Sequence, residues 1–211
     1  MTKNDIINTL SYTEKISPNS DNIFIISHGS NKGNDSSLIR GVADKLYKEG
    51  ASVVTFNFSY LDKGAENSRG LVNELNDLWQ VYNFVSEEHP DKKINLVGKS
   101  LGGIVASWLP SQKKVNPESI SLMGCVIGDG GVDFGGYAGP VVIVQGEKDR
   151  YGNKKTVADF MKNYLGRFII KEVPNSDHSY RNAIATNDTE NYEVEAIDYL
   201  MEGLKEVGVM K

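Results

Sequence analysis

Apolar residues along this chain gather in short runs, and longer stretches of mixed polarity separate those runs from about residue 23 onward. The runs Ile23–Ser27, Ser52–Phe56, Ile94–Gly98, Ile120–Val126, Val141–Gln145 and Phe168–Val173 are rich in Val, Ile and Phe. Runs of this length and composition read as strands buried on both faces. The intervening segments carry apolar residues at helical spacing near Ser36–Glu49, Ser68–Glu88, Leu101–Leu109, Lys154–Leu165 and Glu190–Val207. Gly50, just past Glu49, is a helix stop. Pro110 is expected to end the third helix, because it lacks an N–H and collides with the preceding turn. Strands alternating with helices predict an α/β fold: a mostly parallel sheet of about six strands with helices on both faces. With no internal repeat or linker in 211 residues, the whole chain, 1–211, is expected to form a single domain.

Two stretches depart from the alternation. Met1–Ser20 is polar and has room for a short strand or two at a sheet edge. Gly124–Gly139 holds seven glycines in sixteen residues, so a pliable loop is expected where a helix should join the fourth and fifth core strands.

Composition narrows the function classes. Hydrophobic residues make up 39% and charged residues 24%, which suits a globular chain. The net charge of −5 and the absence of a basic stripe argue against a nucleic-acid partner. The lysine pairs Lys92-Lys93, Lys113-Lys114 and Lys154-Lys155 fall at element ends and read as solvated charges. No run approaches the roughly 20 apolar residues of a membrane span. The opening residues lack a signal peptide's apolar stretch, and Cys125 stands alone, so a cytoplasmic location is expected. Cys125, inside an apolar run, reads as a buried small hydrophobe. The oligomeric state is left open.

The chemistry centres on Val97-Gly98-Lys99-Ser100-Leu101-Gly102-Gly103, a Gly-x-Ser-x-Gly string between a strand and a helix. A serine thrown out of a strand on a sharp turn needs neighbours without side chains, and Gly98 and Gly102 supply that room. The helix behind it favours developing negative charge. Lys99 alternates to the other side of the elbow and reads as a surface or strand-end charge.

A serine hydroxyl needs a base, and the base needs an orienting group. His178 lies in a loop after the last strand, at the same carboxyl edge of the sheet as Ser100, and is the candidate base. His89 ends a helix, where it suits the dipole. His28 is read as a brace for its own loop. Asp149, after the fifth core strand, is the candidate acid, with Asp129, Asp133 and Glu147 as rivals and Asp177 adjoining His178 in sequence. The oxyanion donors are assigned to the backbone N–H groups of Leu101 and Ser30, with Gly29 and Asn31 as alternatives to Ser30.

Five ordered strings carry a resemblance: Ser27-His28-Gly29, Phe56-Asn57-Phe58-Ser59-Tyr60, Gly98-Lys99-Ser100-Leu101-Gly102-Gly103, Gln145 through Gly152, and Asp177-His178-Ser179-Tyr180. Together they resemble the α/β-hydrolase superfamily, in particular a branch of small lidless hydrolases of the dienelactone-hydrolase-like kind. The resemblance runs from about Ile23 to the last helix. It implies Ser100 as nucleophile, His178 as base, Asp149 as acid, and Ser30 with Leu101 as oxyanion donors. Larger members insert a cap after the fourth core strand counted here, where this chain has only its glycine-rich loop. The family's first two strands are also hard to place in Met1–Ser20. Both departures imply a compact six-stranded core with an open site.

Aromatic residues flank the motifs. Tyr60, Tyr137, Tyr151 and Tyr180 are the pocket candidates, whereas Phe56, Phe58 and Trp108 read as core packing. The function expected is a serine hydrolase cleaving carboxylic esters or thioesters of small or exposed acyl groups through an acyl-enzyme on Ser100. It requires neither a metal nor an organic cofactor, and its partner is the small-molecule substrate. A non-catalytic binding or scaffold protein on the same fold is the competing class, and peptidase or perhydrolase chemistry the alternative within enzymes.

Overall fold

The computed structural model describes residues 6, 9–183 and 191–211. Seven strands form one sheet: β1 (Thr13–Lys15), β2 (Asn22–Ser27), β3 (Ser52–Phe56), β4 (Lys93–Lys99), β5 (Ser119–Met123), β6 (Val141–Gly146) and β7 (Phe168–Val173). Their spatial order is β1-β3-β2-β4-β5-β6-β7. All neighbours run parallel except β1, which pairs antiparallel with β3, Thr13 opposite Thr55. The sheet therefore has one strand more than the six expected. β1 lies in the polar opening stretch, and Leu10 and Tyr12 beside it are buried.

Alternate residues of each central strand enter opposite cores. Ile23, Ile25, Val54, Phe56, Ile94, Leu96, Ile120 and Leu122 join one cluster. Phe24, Ile26, Val53, Val97, Met123, Val142 and Val144 join the other. Burial on both sides is why these strands read as continuous apolar runs. The first cluster is covered by α3 (Val72–Glu88), α4 (Leu101–Lys113) and α5 (Lys154–Met161). The second is covered by α1 (Ser37–Lys48) and α6 (Glu193–Glu206). A short helix, α2 (Ser59–Asp62), follows β3.

Several boundaries differ from the sequence expectation. α4 passes Pro110 and continues to Lys113. Proline removes one helical hydrogen bond, and the helix resumes because it is anchored on both sides. Trp108 Nε1 donates to the Gly131 carbonyl at 2.9 Å, and Lys113 Nζ donates to Asn76 at 2.6 Å. The fourth core strand stops at Met123, three residues early, because Gly124 turns with φ +68°. Leu71, at φ 52°, splits the expected Ser68–Glu88 helix into a 3-10 turn and α3. α5 ends at Met161, and Tyr164 turns inward to donate to the Gly139 carbonyl. The last helix begins at Glu193; Glu190, where it was expected to begin, lies outside the described residues.

The glycine-rich segment is pinned against α4 and is not a free flap. Asp133 N–H donates to Ser107 Oγ, and Val132, Phe134 and Tyr137 are buried in the first core. No cap domain covers the sheet's carboxyl edge among the described residues. β2 and β4 run parallel, but the order of strand addition reverses between them, so the connections leaving their carboxyl ends diverge to opposite sides and open a crevice there.

Candidate active site

Ser100 occupies the turn between β4 and α4 with φ 50° and ψ −111°, a conformation that costs about 1–3 kcal/mol and must be imposed by its surroundings. Its N–H donates to Met123 O and its carbonyl accepts from Ile104 N–H, each at 3.0 Å. The flanking glycines are a packing requirement. A Cβ on Gly98 would run into the backbone of Gly102 and Gly103, and one on Gly102 would sit 2.7 Å from the carbonyl oxygens of Ser27 and His28.

His178, from the loop after β7, meets this serine. Its Nε2 lies 2.9 Å from Ser100 Oγ, and its Nδ1 lies 2.7 Å from Asp149 Oδ2. With the carboxylate ionised, Nδ1–H donates to Asp149 and Nε2 accepts from the serine hydroxyl. The loop holding the imidazole is stiffened by Asp177, whose Oδ1 accepts from the N–H groups of Ser179 and Arg181. That makes Asp177 a turn residue. The rival acids hold other groups: Asp133 caps Gly135 N–H, Glu147 pairs with Lys148 and Asn175 N–H at the surface, and Asp129 is exposed.

Asp149 is buried and receives three donors. His178 Nδ1 and Gln145 Nε2 share Oδ2, and Tyr151 N–H reaches Oδ1 at 2.8 Å. Gln145 is the residue sequence reasoning missed. It is the penultimate residue of β6 and fully buried, and its Oε1 also accepts from Cys125 N–H at 2.7 Å. The signal was available as a lone amide closing the apolar run Val141–Val144. Cys125 is itself buried, and burial pushes its thiol up to about 12.

The loop after β2 forms the facing wall. Ser30, Ser100 and His178 line one cleft of about 200 Å³, floored by Leu38 and Ile39. Leu101 is the first residue of α4, so its N–H has no partner within the helix. His28 is fully buried; its Nε2 accepts from Phe58 N–H at 2.9 Å, so Nδ1 carries the proton and donates to Gly29 O at 2.6 Å. Burial holds its pKa below the ordinary 6.5. In a trans peptide the C=O and N–H point in opposite directions. Fixing the Gly29 carbonyl therefore also fixes the direction of the Ser30 N–H. Tyr60 Oη adds a bond to Ser30 O at 2.8 Å.

The four tyrosines separate. Tyr151 is partly exposed and sets its ring against the imidazole, centroids 4.7 Å apart. Tyr60 braces the loop after β2. None of the four lines the cleft around Ser100, contrary to expectation. Tyr137 donates to Pro117 O just before β5, because the glycine-rich segment carries it to the opposite edge of the sheet. Tyr180 is fully buried beneath the histidine loop and donates to Val144 O.

Lys99 does stand at the end of β4, as expected, but it is not a surface charge. Its side chain is folded under the histidine loop, where Nζ donates to His178 O at 2.7 Å and lies 5.5 Å from the Tyr180 ring centroid. Burial lowers its pKa to about 8.

A family model described as an alpha/beta hydrolase domain matches residues 20–127, just over half of the chain. The chain belongs to the α/β-hydrolase family. Solved structures share the fold of this α/β-hydrolase over nearly its whole length. An alpha-beta serine hydrolase homologue from Coxiella burnetii is 18% identical, with TM-score 0.71, covering 92% of this chain and 90% of that one. A serine hydrolase without lid from Xanthomonas campestris is 17% identical, with TM-score 0.68, covering 92% and 88%. A dienelactone hydrolase from Anabaena variabilis is 15% identical, with TM-score 0.69, covering 92% and 90%. At these identities the likeness establishes a lidless, dienelactone-hydrolase-like fold. A search of curated proteins finds no match. No helix among the described residues is long and apolar enough to cross a membrane.

Proposed function

We propose that this α/β-hydrolase is a serine hydrolase that cleaves carboxylic esters, or thioesters, of small or exposed acyl groups through an acyl-enzyme on Ser100. The observation that carries the reading is the unbroken hydrogen-bond chain Ser100 Oγ–His178–Asp149 at the start of α4.

In the first step the Ser100 oxygen attacks the acyl carbon while its proton passes to His178 Nε2. Asp149 holds the tautomer and stabilises the imidazolium. The carbonyl oxygen takes up the negative charge against the Leu101 and Ser30 N–H groups. Collapse expels the alcohol or thiol, which leaves with the proton from His178. Water, deprotonated by the neutral imidazole, then releases the acid and restores Ser100. Beyond the substrate and one water, each step uses only groups of this chain. The open cleft of about 200 Å³ suits a compact or solvent-facing acyl group. The chain is read as one domain acting in the cytoplasm on a small-molecule substrate.

The test is Ser100→Ala assayed with a short-chain nitrophenyl ester. Turnover falls by about a thousandfold or more if the serine is the nucleophile; wild-type turnover in the variant refutes the assignment.

A further inference from the structure

Lys99 is a long cationic side chain that the fold turns inward. From the end of β4 its stem passes Gly29, and its ammonium ends under the loop after β7, donating to the backbone carbonyl of His178. The space it fills is tight. A Cβ on Gly124 would meet Lys99 Nζ at 2.5 Å and the His178 ring atoms Cε1 and Nδ1 at 3.1 and 3.2 Å. The glycine that ends β5 thus makes room for ammonium and imidazole together. Lys99 directly precedes Ser100, so one residue pair carries the nucleophile and a tether to its partner.

We propose that Lys99 is a positioning residue, whose ammonium ties the His178 backbone to the end of β4 and so sets the distance between the imidazole and the Ser100 hydroxyl. The proposal rests on the hydrolase reading for its effect on rate, while the tether itself is read directly in the resting protein.

Three observations support it. An ammonium drawn partly out of water is kept only where polar groups compensate it, and the half-buried Lys99 has the His178 carbonyl, the Tyr180 ring and the field of two carboxylates. The loop it grips follows β7, and among its described residues no named strand carries the imidazole over the elbow. Hydrogen bonds from a charged donor are roughly twice as strong as neutral ones, so the grip weakens when the ammonium loses its proton. The charged and titratable groups around it are Asp149 after β6, Asp177 and His178 after β7, and Tyr180; Cys125 follows Gly124 after β5. Lys32 and Glu193 line other walls of the same cleft. The carboxylates favour the ammonium, but burial outweighs them, so the side chain titrates near pH 8.

The experiment compares wild type, Lys99→Met and Lys99→Arg in ester turnover against pH. The carbonyl carbon of His178 is followed by NMR through the same pH range without substrate. Wild type is expected to lose rate as pH rises through about 8, with the His178 carbonyl signal moving in the same range. Lys99→Met is expected to lower kcat by about tenfold to a hundredfold with KM little changed, and to abolish both inflections. Lys99→Arg keeps its charge and is expected to recover rate without the alkaline fall. If the carbonyl titrates but even wild type turns over no ester, the tether stands and the hydrolase reading fails. A His178 carbonyl indifferent to pH near 8, or Lys99→Met with wild-type kcat and an unchanged profile, overturns the proposal.

Discussion

Gln145 Nε2 lies 2.8 Å from Asp149 Oδ2, the same oxygen that receives His178 Nδ1. The buried amide thus points the carboxylate at the imidazole, and its Oε1 accepts from Cys125 N–H in the segment after β5. Replacing Gln145 with Met keeps the volume and removes the amide's bonds to Asp149 and to the Cys125 N–H. Asp149 and the Cys125 N–H are then left short of partners in a buried site, at a cost of about 1–3 kcal/mol for each unsatisfied group. Denaturant unfolding is expected to show that loss, and ester turnover a fall in kcat on the order of tenfold. Unchanged stability and kcat would remove Gln145 from the account.

The loop after β2 makes a separate prediction. His28 fixes the Gly29 carbonyl, and through that peptide plane the Ser30 N–H. His28→Leu leaves the triad untouched but frees the peptide. Because loss of one oxyanion donor costs about a hundredfold to a thousandfold in kcat, the variant is expected to lose at least tenfold. Tyr60→Phe removes the bond to Ser30 O and a longer one to Gly29 O but leaves the His28 bond in place, and is expected to cost less. Steady-state kinetics at one pH ranks the two.

His28 also sets a pH dependence of stability. Its folded pKa lies below the ordinary 6.5 because it is buried. Below pH 6.5 the unfolded chain therefore binds a proton that the native state refuses, and stability falls as pH drops. Above that value both states carry neutral imidazole and the contribution is constant. His28→Leu should flatten this part of the Tm-against-pH curve. Lys99 acts in the alkaline window. Its folded pKa of about 8 is below the ordinary 10.5, so between those values the unfolded chain again holds the extra proton and stability rises with pH. Lys99→Met should remove that rise.

Gly98 tests the geometry of the elbow. A methyl group there meets the backbone of Gly102 and Gly103, which cannot move aside as a flexible side chain can. Gly98→Ala is expected to lower stability by about 1–3 kcal/mol or more, read by denaturant midpoint. A variant as stable as wild type would mean that the turn is looser than described.

The extent of sequence legibility follows from what each residue touches. The five inner strands could be read because both of their faces are apolar, and the edge strand β7 because it opens on the apolar run Phe168–Ile170. β1 could be anticipated only as a short edge strand somewhere in Met1–Ser20, since Thr13 and Lys15 are exposed, Glu14 is half-buried, and the three pair on one side only and carry no run. Ser100, Asp149 and His178 stood out as chemistry-bearing residues after strands whose ends share one edge. Gln145 and Lys99 did not, because amides and lysines read as surface and their burial depends on segments distant in sequence folding over them. Tyr137 misled for a related reason: the segment that holds it crosses from one edge of the sheet to the other, which glycine content alone does not reveal. Pro110 stands inside α4 because Trp108 and Lys113 anchor the helix on either side of it.

The central claim is that Ser100 is an activated nucleophile. Its most direct measurement is reaction of the purified protein with a fluorophosphonate probe, followed by mass mapping of the adduct. The account predicts one adduct on Ser100, slowed strongly in His178→Ala and absent in Ser100→Ala. A folded wild-type protein that stays unlabelled, or that reacts equally well without His178, would contradict it.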